Sequence, residues 1–285
     1  GTHGNELAGQ VAALLAVENV SVTAGKLVVV PYANRSAMSV QDSRRHIARD
    51  HAIQSRSGPR VLPYGDRRTD PADQGQPDPA AYTNPGGYTL GDGAESRNLN
   101  RTWPGDPDGT PTEQLSYALM QLIRRESIDF SLDMHEADTP ERQTVGDDYL
   151  PGGNKRLSYT LVAHPRGLEI AAFALLELEA DTGISMKLEE SNSKYRGLSH
   201  LEIGNGSPCI SFLSESPNPG QDRWRVAPDV VTDPKYPLSH RAGLHLRLFK
   251  HLADAWGDMN GETLEMQGLP DYRELIAGGT GRFLN

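Results

Sequence analysis

Near the start of the chain, His3 and Glu6 form an H-x-x-E pair within Gly1-Thr2-His3-Gly4-Asn5-Glu6. Residues three apart at the opening of a helix project from one side of its first turn, so this imidazole and carboxylate can converge on one cation. A catalytic zinc takes three protein ligands from nitrogen and oxygen donors and keeps a further position for water. His135 is the natural third ligand. It ends the alternating run Ile128-Asp129-Phe130-Ser131-Leu132-Asp133-Met134-His135, which reads as a strand, and ligands of open α/β sheets gather at the C-terminal strand edge. Standing alone, His135 reads as an ordinary strand-end histidine. The other histidines, at 46, 51, 164, 200, 240, 245 and 251, fall in loops or helices without matching partners and read as surface or packing residues.

Two further segments carry groups suited to hydrolysis. Glu215 closes the strand-like run PCISFLSE and is followed by Ser-Pro-Asn-Pro-Gly, which cannot continue regular structure. A carboxylate there can accept a proton from zinc-bound water, and its plain alternative is a solvated strand-end acid. Arg97-Asn98-Leu99-Asn100-Arg101-Thr102-Trp103-Pro104-Gly105 places two guanidiniums and two amides within five positions. The planar fork of arginine matches a carboxylate bidentately, and the plain alternative is an exposed, salt-bridged loop.

These groups need elements to hold them. Leu7, Val11, Leu14 and Leu15 recur at helical spacing, which predicts a helix from Glu6 to about Asn19 directly after the Gly-rich turn. The turn itself reads as one that follows a strand, so a first strand is expected upstream of Gly1. Lys26–Tyr32 (KLVVVPY) is a β-branched run that predicts a buried strand. Between about 36 and 110 the periodicity breaks down into an Arg/His-rich stretch and a Pro-, Gly- and Asp-dense segment, a loop long enough to be functional or else a partly disordered insertion. Thr110-Pro111-Thr112-Glu113 supplies a capping box with proline at the first helical position, opening a helix to about Glu126. Strands over 157–163 and 208–215 and helices over 168–181 and 238–256 complete the pattern. The fold class is α/β: one domain over 1–256, with a mixed, mostly parallel sheet flanked by helices, then a polar tail over 257–285 with a short apolar patch at Tyr272–Ile276.

Composition narrows the function. With 28 Lys plus Arg against 38 Asp plus Glu the net charge is −10, and no basic patch offers a grip on a phosphate backbone, so nucleic acid is not an expected partner. No apolar stretch approaches membrane-spanning length, so no membrane association is expected and the chain reads as soluble. The single cysteine, Cys209, allows neither an internal disulfide nor a cysteine zinc site, and its place inside a predicted strand argues against a thiol nucleophile. There is no G-x-S-x-G elbow, no G-x-x-x-x-G-K-[ST] loop and no G-x-G-x-x-G.

Taken together, Gly-Thr-His-Gly-Asn-Glu at 1–6, Asn-Leu-Asn-Arg at 98–101 with Trp-Pro-Gly beyond, Asp-Met-His at 133–135 and Ser-Glu-Ser-Pro-Asn-Pro-Gly at 214–220 resemble the succinylglutamate desuccinylase/aspartoacylase family. That family is related in fold to the zinc carboxypeptidases. The resemblance implies one zinc ion per chain held by His3, Glu6 and His135, Glu215 as general base, and Asn100 with Arg101 gripping a substrate carboxylate. It also implies a carbonyl-polarising arginine upstream of Asn100, for which Arg97 is the candidate, and a substrate-gating tyrosine, for which Tyr195 in SNSKYRGLSH is the candidate against an ordinary loop tyrosine. The order of elements agrees from residue 1 to about 256. Asn98 stands where the family usually shows Asp, Glu136 where a small hydroxyl residue is common, and the loop over 36–96 is long, departures that bear on substrate more than on metal.

The expected function is therefore zinc-dependent hydrolysis of an amide bond next to a carboxylate-bearing group, as in an N-acyl amino acid deacylase. The alternatives are a zinc carboxypeptidase acting on short peptides and a non-catalytic binder of a small acidic ligand.

Overall fold

Alternation of polar and apolar residues over 128–137 and 210–217 lets each segment hold one core-facing row and one row of chemically active side chains, and both form strands. The computed structural model describes residues 1–41, 47–145, 148–151 and 157–285. Its central sheet has four strands, β1 (Phe130–Ala137), β2 (Thr160–Ala163), β3 (Lys187–Glu190) and β4 (Ile210–Pro217), in the order β3-β2-β4-β1. β1 runs parallel to β4 and β3 parallel to β2, while β2 and β4 are antiparallel, so the sheet is mixed.

The longer helices of the chain are α1 (Leu7–Asn19), α2 (Pro111–Arg125), α3 (Leu168–Thr182), α4 (Ser199–Gly206), α5 (Leu238–Asn260) and α6 (Tyr272–Gly278). The α2 start carries the expected capping box, with Thr110 and Glu113 each serving the other's backbone. Among the described residues, no helix is long and apolar enough to cross a membrane.

The strand pleat sorts the layers. On β4, Phe212 joins a core of α3 and α5 residues including Leu178, Leu244 and Leu248, and Ser214 bonds His245 of α5. The alternate residue Ser211 instead donates to the His200 carbonyl of α4. A second core gathers α1 (Leu7, Val11, Leu15) with Leu238, Ala242 and Leu246 of α5. Leu275 and Leu284 are fully buried in that same core, and Glu265–Gln267 pairs with Ser21–Ala24. Residues 257–285 therefore do more than wrap the surface as a polar tail. A third, smaller core joins Trp103, Met120 of α2, Ile203 of α4 and Cys209. Burial pushes the Cys209 thiol up to about 11, which removes it as a nucleophile.

One predicted strand is corrected. Residues 26–30 run without a ladder, with Val28 39% and Val30 41% exposed. An apolar cavity of about 250 Å³, lined among others by Val28, Val30, Leu132 and Met134, separates them from β1. The β-branched run favours extended backbone, but propensity supplies no neighbour to pair with. The 36–110 segment also contains more order than its composition suggests, including a hairpin of Asp50–Ser55 with Gly58–Pro63 and short helical turns at Gly93–Arg97 and Leu99–Arg101.

Candidate metal and hydrolytic site

His3 lies in the turn before α1 and Glu6 is the residue just ahead of that helix, its side chain making no cap bond, while His135 lies near the C-terminal end of β1. The structure brings all three together: Glu6 Oε1 is 2.7 Å from His3 Nδ1, and Glu6 Oε2 is 2.8 Å from His135 Nδ1. One donor atom from each lies within 4.8 Å of the other two, and all three residues are buried. Burial alone would raise the Glu6 carboxyl, but the two imidazoles hold it far below the usual carboxylate range. For His135 the balance also overrides burial, and Asp133 with Glu6 raises it well above an ordinary histidine. His3 goes the other way, because burial outweighs its single acidic partner.

The far ring nitrogens are held from behind. His3 Nε2 is 2.9 Å from Asn98 Oδ1, and Asn98 in turn donates to Glu95 Oε2 at 2.7 Å. Since that carbonyl oxygen can only accept, a proton on Nε2 satisfies this contact, and with a cation in the site Nδ1 would be the nitrogen turned toward it. Asn98 thus keeps the acceptor that an aspartate would supply. His135 Nε2 sits 2.9 Å from Asp133 Oδ2, an ion-pair contact whose angle falls short of a hydrogen bond. Asp133 is itself fixed by Thr2 and Ser199 at 2.9 and 2.6 Å. Two imidazoles oriented through their outer nitrogens toward one carboxylate form a His2Glu set, and these residues fit a zinc ion by donor type and convergence.

Glu215 is the Cα partner of His135 across the parallel β4–β1 ladder, so the two side chains leave the same face of the sheet. Its Oε2 is sealed from solvent without a hydrogen-bond partner. Burial pushes the carboxyl up to about 8, with the charges of Glu6, Asp133 and Glu136 adding to the effect against the pull of His135. A solvated strand-end acid would show neither feature. Poised this way, the group suits proton transfer near neutral pH.

The arginine loop is only partly as expected. Arg101 is mostly buried, stacks its guanidinium 5.4 Å from the Tyr195 ring centre, and has a buried Nε that lies 3.5 Å from Glu95 without a hydrogen bond. Asn100 is locked by the Ser199 backbone N–H donating to its Oδ1 at 2.9 Å. Arg101, Asn100 and Tyr195 therefore come together. Arg97 does not join them: its guanidinium grips Asp78 through Nε and Nη2 at 2.7 and 2.9 Å and donates Nη1 to the Thr69 carbonyl. A fork already engaged by a carboxylate and a carbonyl is not free to polarise a substrate, so the candidate role for Arg97 is withdrawn.

Arg67 is placed differently. Gly4 N–H donates to Asp66 O and Gly65 N–H to Gly4 O, which lays residues 65–67 along the first motif. Both glycines are needed for this approach, since a Cβ on either would come within 2.3 Å of the Ala37 carbonyl oxygen. The Arg67 charge acts on both His3 and Arg101; its Nη2 donates to Glu95 Oε2 at 3.3 Å, while its Nε is buried without a partner. No spacing pattern pointed to Arg67, because the loop between it and Asn98 has no period. Gln221, 3.4 Å from Glu6, was likewise missed. His200 bonds Ser191 at 2.7 Å and is lowered to about 4, chiefly by burial and then by the nearby His135 charge. His164, His240, His245 and His251 each find side-chain partners as packing residues, and His46 lies outside the described residues.

No protein-family model matches the sequence, and no curated relative does. Among solved structures, the apo form of the cell shape determinant protein Csd4 from Helicobacter pylori superposes with a TM-score of 0.56 at 16% identity, over 98% of this chain and 54% of Csd4. The mDAP-bound form of Csd4, described as a D,L-carboxypeptidase, gives 0.53 at 17% identity with the same coverage. A succinylglutamate desuccinylase from Silicibacter sp. is 19% identical over 95% of this chain and 58% of its own, with a TM-score of 0.44. The likeness to Csd4 shows the carboxypeptidase-like fold that the four motifs imply. The chain spans about half the length of Csd4.

Proposed function

We propose that this chain carries the catalytic site of a zinc-dependent hydrolase that cleaves an amide bond next to a carboxylate-bearing group. The observation that carries the reading is the convergence of His3, Glu6 and His135 beside Glu215, whose Oε2 is buried without a hydrogen-bond partner. Zinc, held by those three residues, would supply a Lewis acid that makes water acidic enough to ionise near neutral pH.

Glu215 takes a proton from the attacking water, whose oxygen adds to the amide carbon. Arg67 donates hydrogen bonds to the carbonyl oxygen as it gains charge, a role suited to a fixed cation beside His3. Arg101, with Asn100, holds the substrate carboxylate, and Tyr195 covers it. As the C–N bond breaks, Glu215 delivers its proton to the leaving nitrogen, giving a carboxylic acid and an amine.

Substrates of this class are N-acyl amino acids, which suits a deacylase. A second reading, a carboxypeptidase acting on short peptides, is favoured by the fold shared with Csd4 and uses the same carboxylate grip. A turnover screen with added zinc over N-acyl amino acids and short peptides separates the two. The metal site is tested by His135→Ala: zinc content, measured by metal analysis, should fall from one ion per chain to almost none. Unchanged zinc in that variant would remove the mechanism.

A further inference from the structure

On the face of the sheet opposite His135, a fully buried ion pair joins Glu136 of β1 to Arg241 of α5, with both side chains 0% exposed. Glu136 accepts from the Ala8 backbone N–H at 3.0 Å, from Asn218 Nδ2 at 3.2 Å and from Ser216 Oγ at 3.2 Å, besides Arg241 Nη1. Asn218 Nδ2 also donates to the Asn5 carbonyl at 3.0 Å. Arg241 is pinned in turn by the carbonyls of Val230 and Tyr236.

These bonds fall on the neighbours of the site residues. Asn5 and Ala8 flank Glu6, Glu136 follows His135, and Ser216 follows Glu215. Three chain segments that are far apart in sequence meet at one carboxylate, while their site residues emerge nearby. Burying a charge pair rarely adds net stability over apolar residues of similar volume, so stability alone does not account for this one.

We infer that Glu136, held by Arg241, is a positioning residue that sets Glu6 and His135 at the spacing a metal ion requires. The inference rests on the zinc reading of the site and names which residues outside the ligand set hold it in register. Partners behind metal ligands typically change metal affinity or activity by about 10–100-fold when removed.

The test is zinc affinity, read by competition with a chelating indicator, alongside melting temperature without metal. The double variant Glu136→Leu/Arg241→Met removes both charges together and leaves neither one buried alone. It should melt near the wild type yet bind zinc about tenfold or more weakly. A double variant that melts normally and binds zinc with wild-type affinity overturns the inference. Glu136→Asp covers the case in which the double variant does not fold. It keeps the charge for Arg241 but is one methylene too short to hold the Ala8 N–H as well, and it should lose zinc affinity in the same direction. Wild-type affinity in Glu136→Asp overturns the inference equally. If the wild-type protein itself binds no zinc, the metal reading fails and takes this inference with it, an outcome distinct from variants that bind as well as a zinc-binding wild type.

Discussion

The candidate site has two halves built on different supports. His135 and Glu215 stand on neighbouring parallel strands, where a ladder fixes their relative height and face. Arg67, Arg97, Asn100, Arg101 and Tyr195 stand on loops and short turns, where ion pairs and side-chain bonds decide which group faces the centre. In the first half, position in sequence determines position in space. In the second, partner choice does: Arg97 lies in the motif but is captured by Asp78, while Arg67 lies outside it and is carried in by the Gly4–Gly65 contact.

Substitutions that separate chemistry from support sharpen this contrast. The largest effect is expected at Glu215. Glu215→Gln should keep the fold and the zinc but lower kcat by about 10²–10⁴-fold, because an amide cannot accept the proton. Measured zinc content beside turnover checks it, and near-normal turnover would remove Glu215 as the base.

Next come the paired arginines. Arg67→Ala should cost about 10²–10³-fold in kcat, as the loss of a donor to a developing oxyanion does. Arg97→Ala should leave kcat within a few-fold and cost stability of only ~1 kcal/mol, since its ion pair with Asp78 is partly exposed. If Arg97→Ala were the more damaging of the two in kcat, the loop assignment would have to be reversed.

An effect on binding rather than on chemistry is expected at Arg101. Arg101→Lys keeps the charge but loses the fork, which should weaken kcat/KM for a free-acid substrate by about 10–150-fold, the equivalent of one charged hydrogen bond of ~1.5–3 kcal/mol. An amidated analogue, already a poor substrate, should be nearly insensitive to the change. Equal hydrolysis of amidated and free-acid substrates by the wild type would show that Arg101 grips no carboxylate.

Legibility in the sequence follows the same divide. The period of two over 128–135 marked His135 as a strand-end residue, and the capping box announced α2, because both signals are local. The β-branched run at 26–30 misled for the opposite reason, since whether an extended segment pairs depends on what lies beside it. Arg67 was unreadable because its approach to His3 depends on two glycines distant in sequence, Gly4 and Gly65, passing in contact. Glu136 was noted as a departure from the family pattern, but its partner Arg241 could be found only in three dimensions.

The rung shared by Glu215 and His135 also limits how this protein can vary in length. Side chains alternate along a strand, so inserting or deleting one residue within β4 before Glu215 would swap the parity of every position after it. The carboxylate would then face α5, among Ser214 and His245, and a serine would take its place opposite the imidazole. Two residues would restore the face but shift the carboxylate by ~6.6 Å along the strand, beyond hydrogen-bond reach of its former position. Drift in length is therefore confined to the loops before Ile210 and after Pro217, while the strand between them counts in whole residues that cannot be altered without moving the carboxylate.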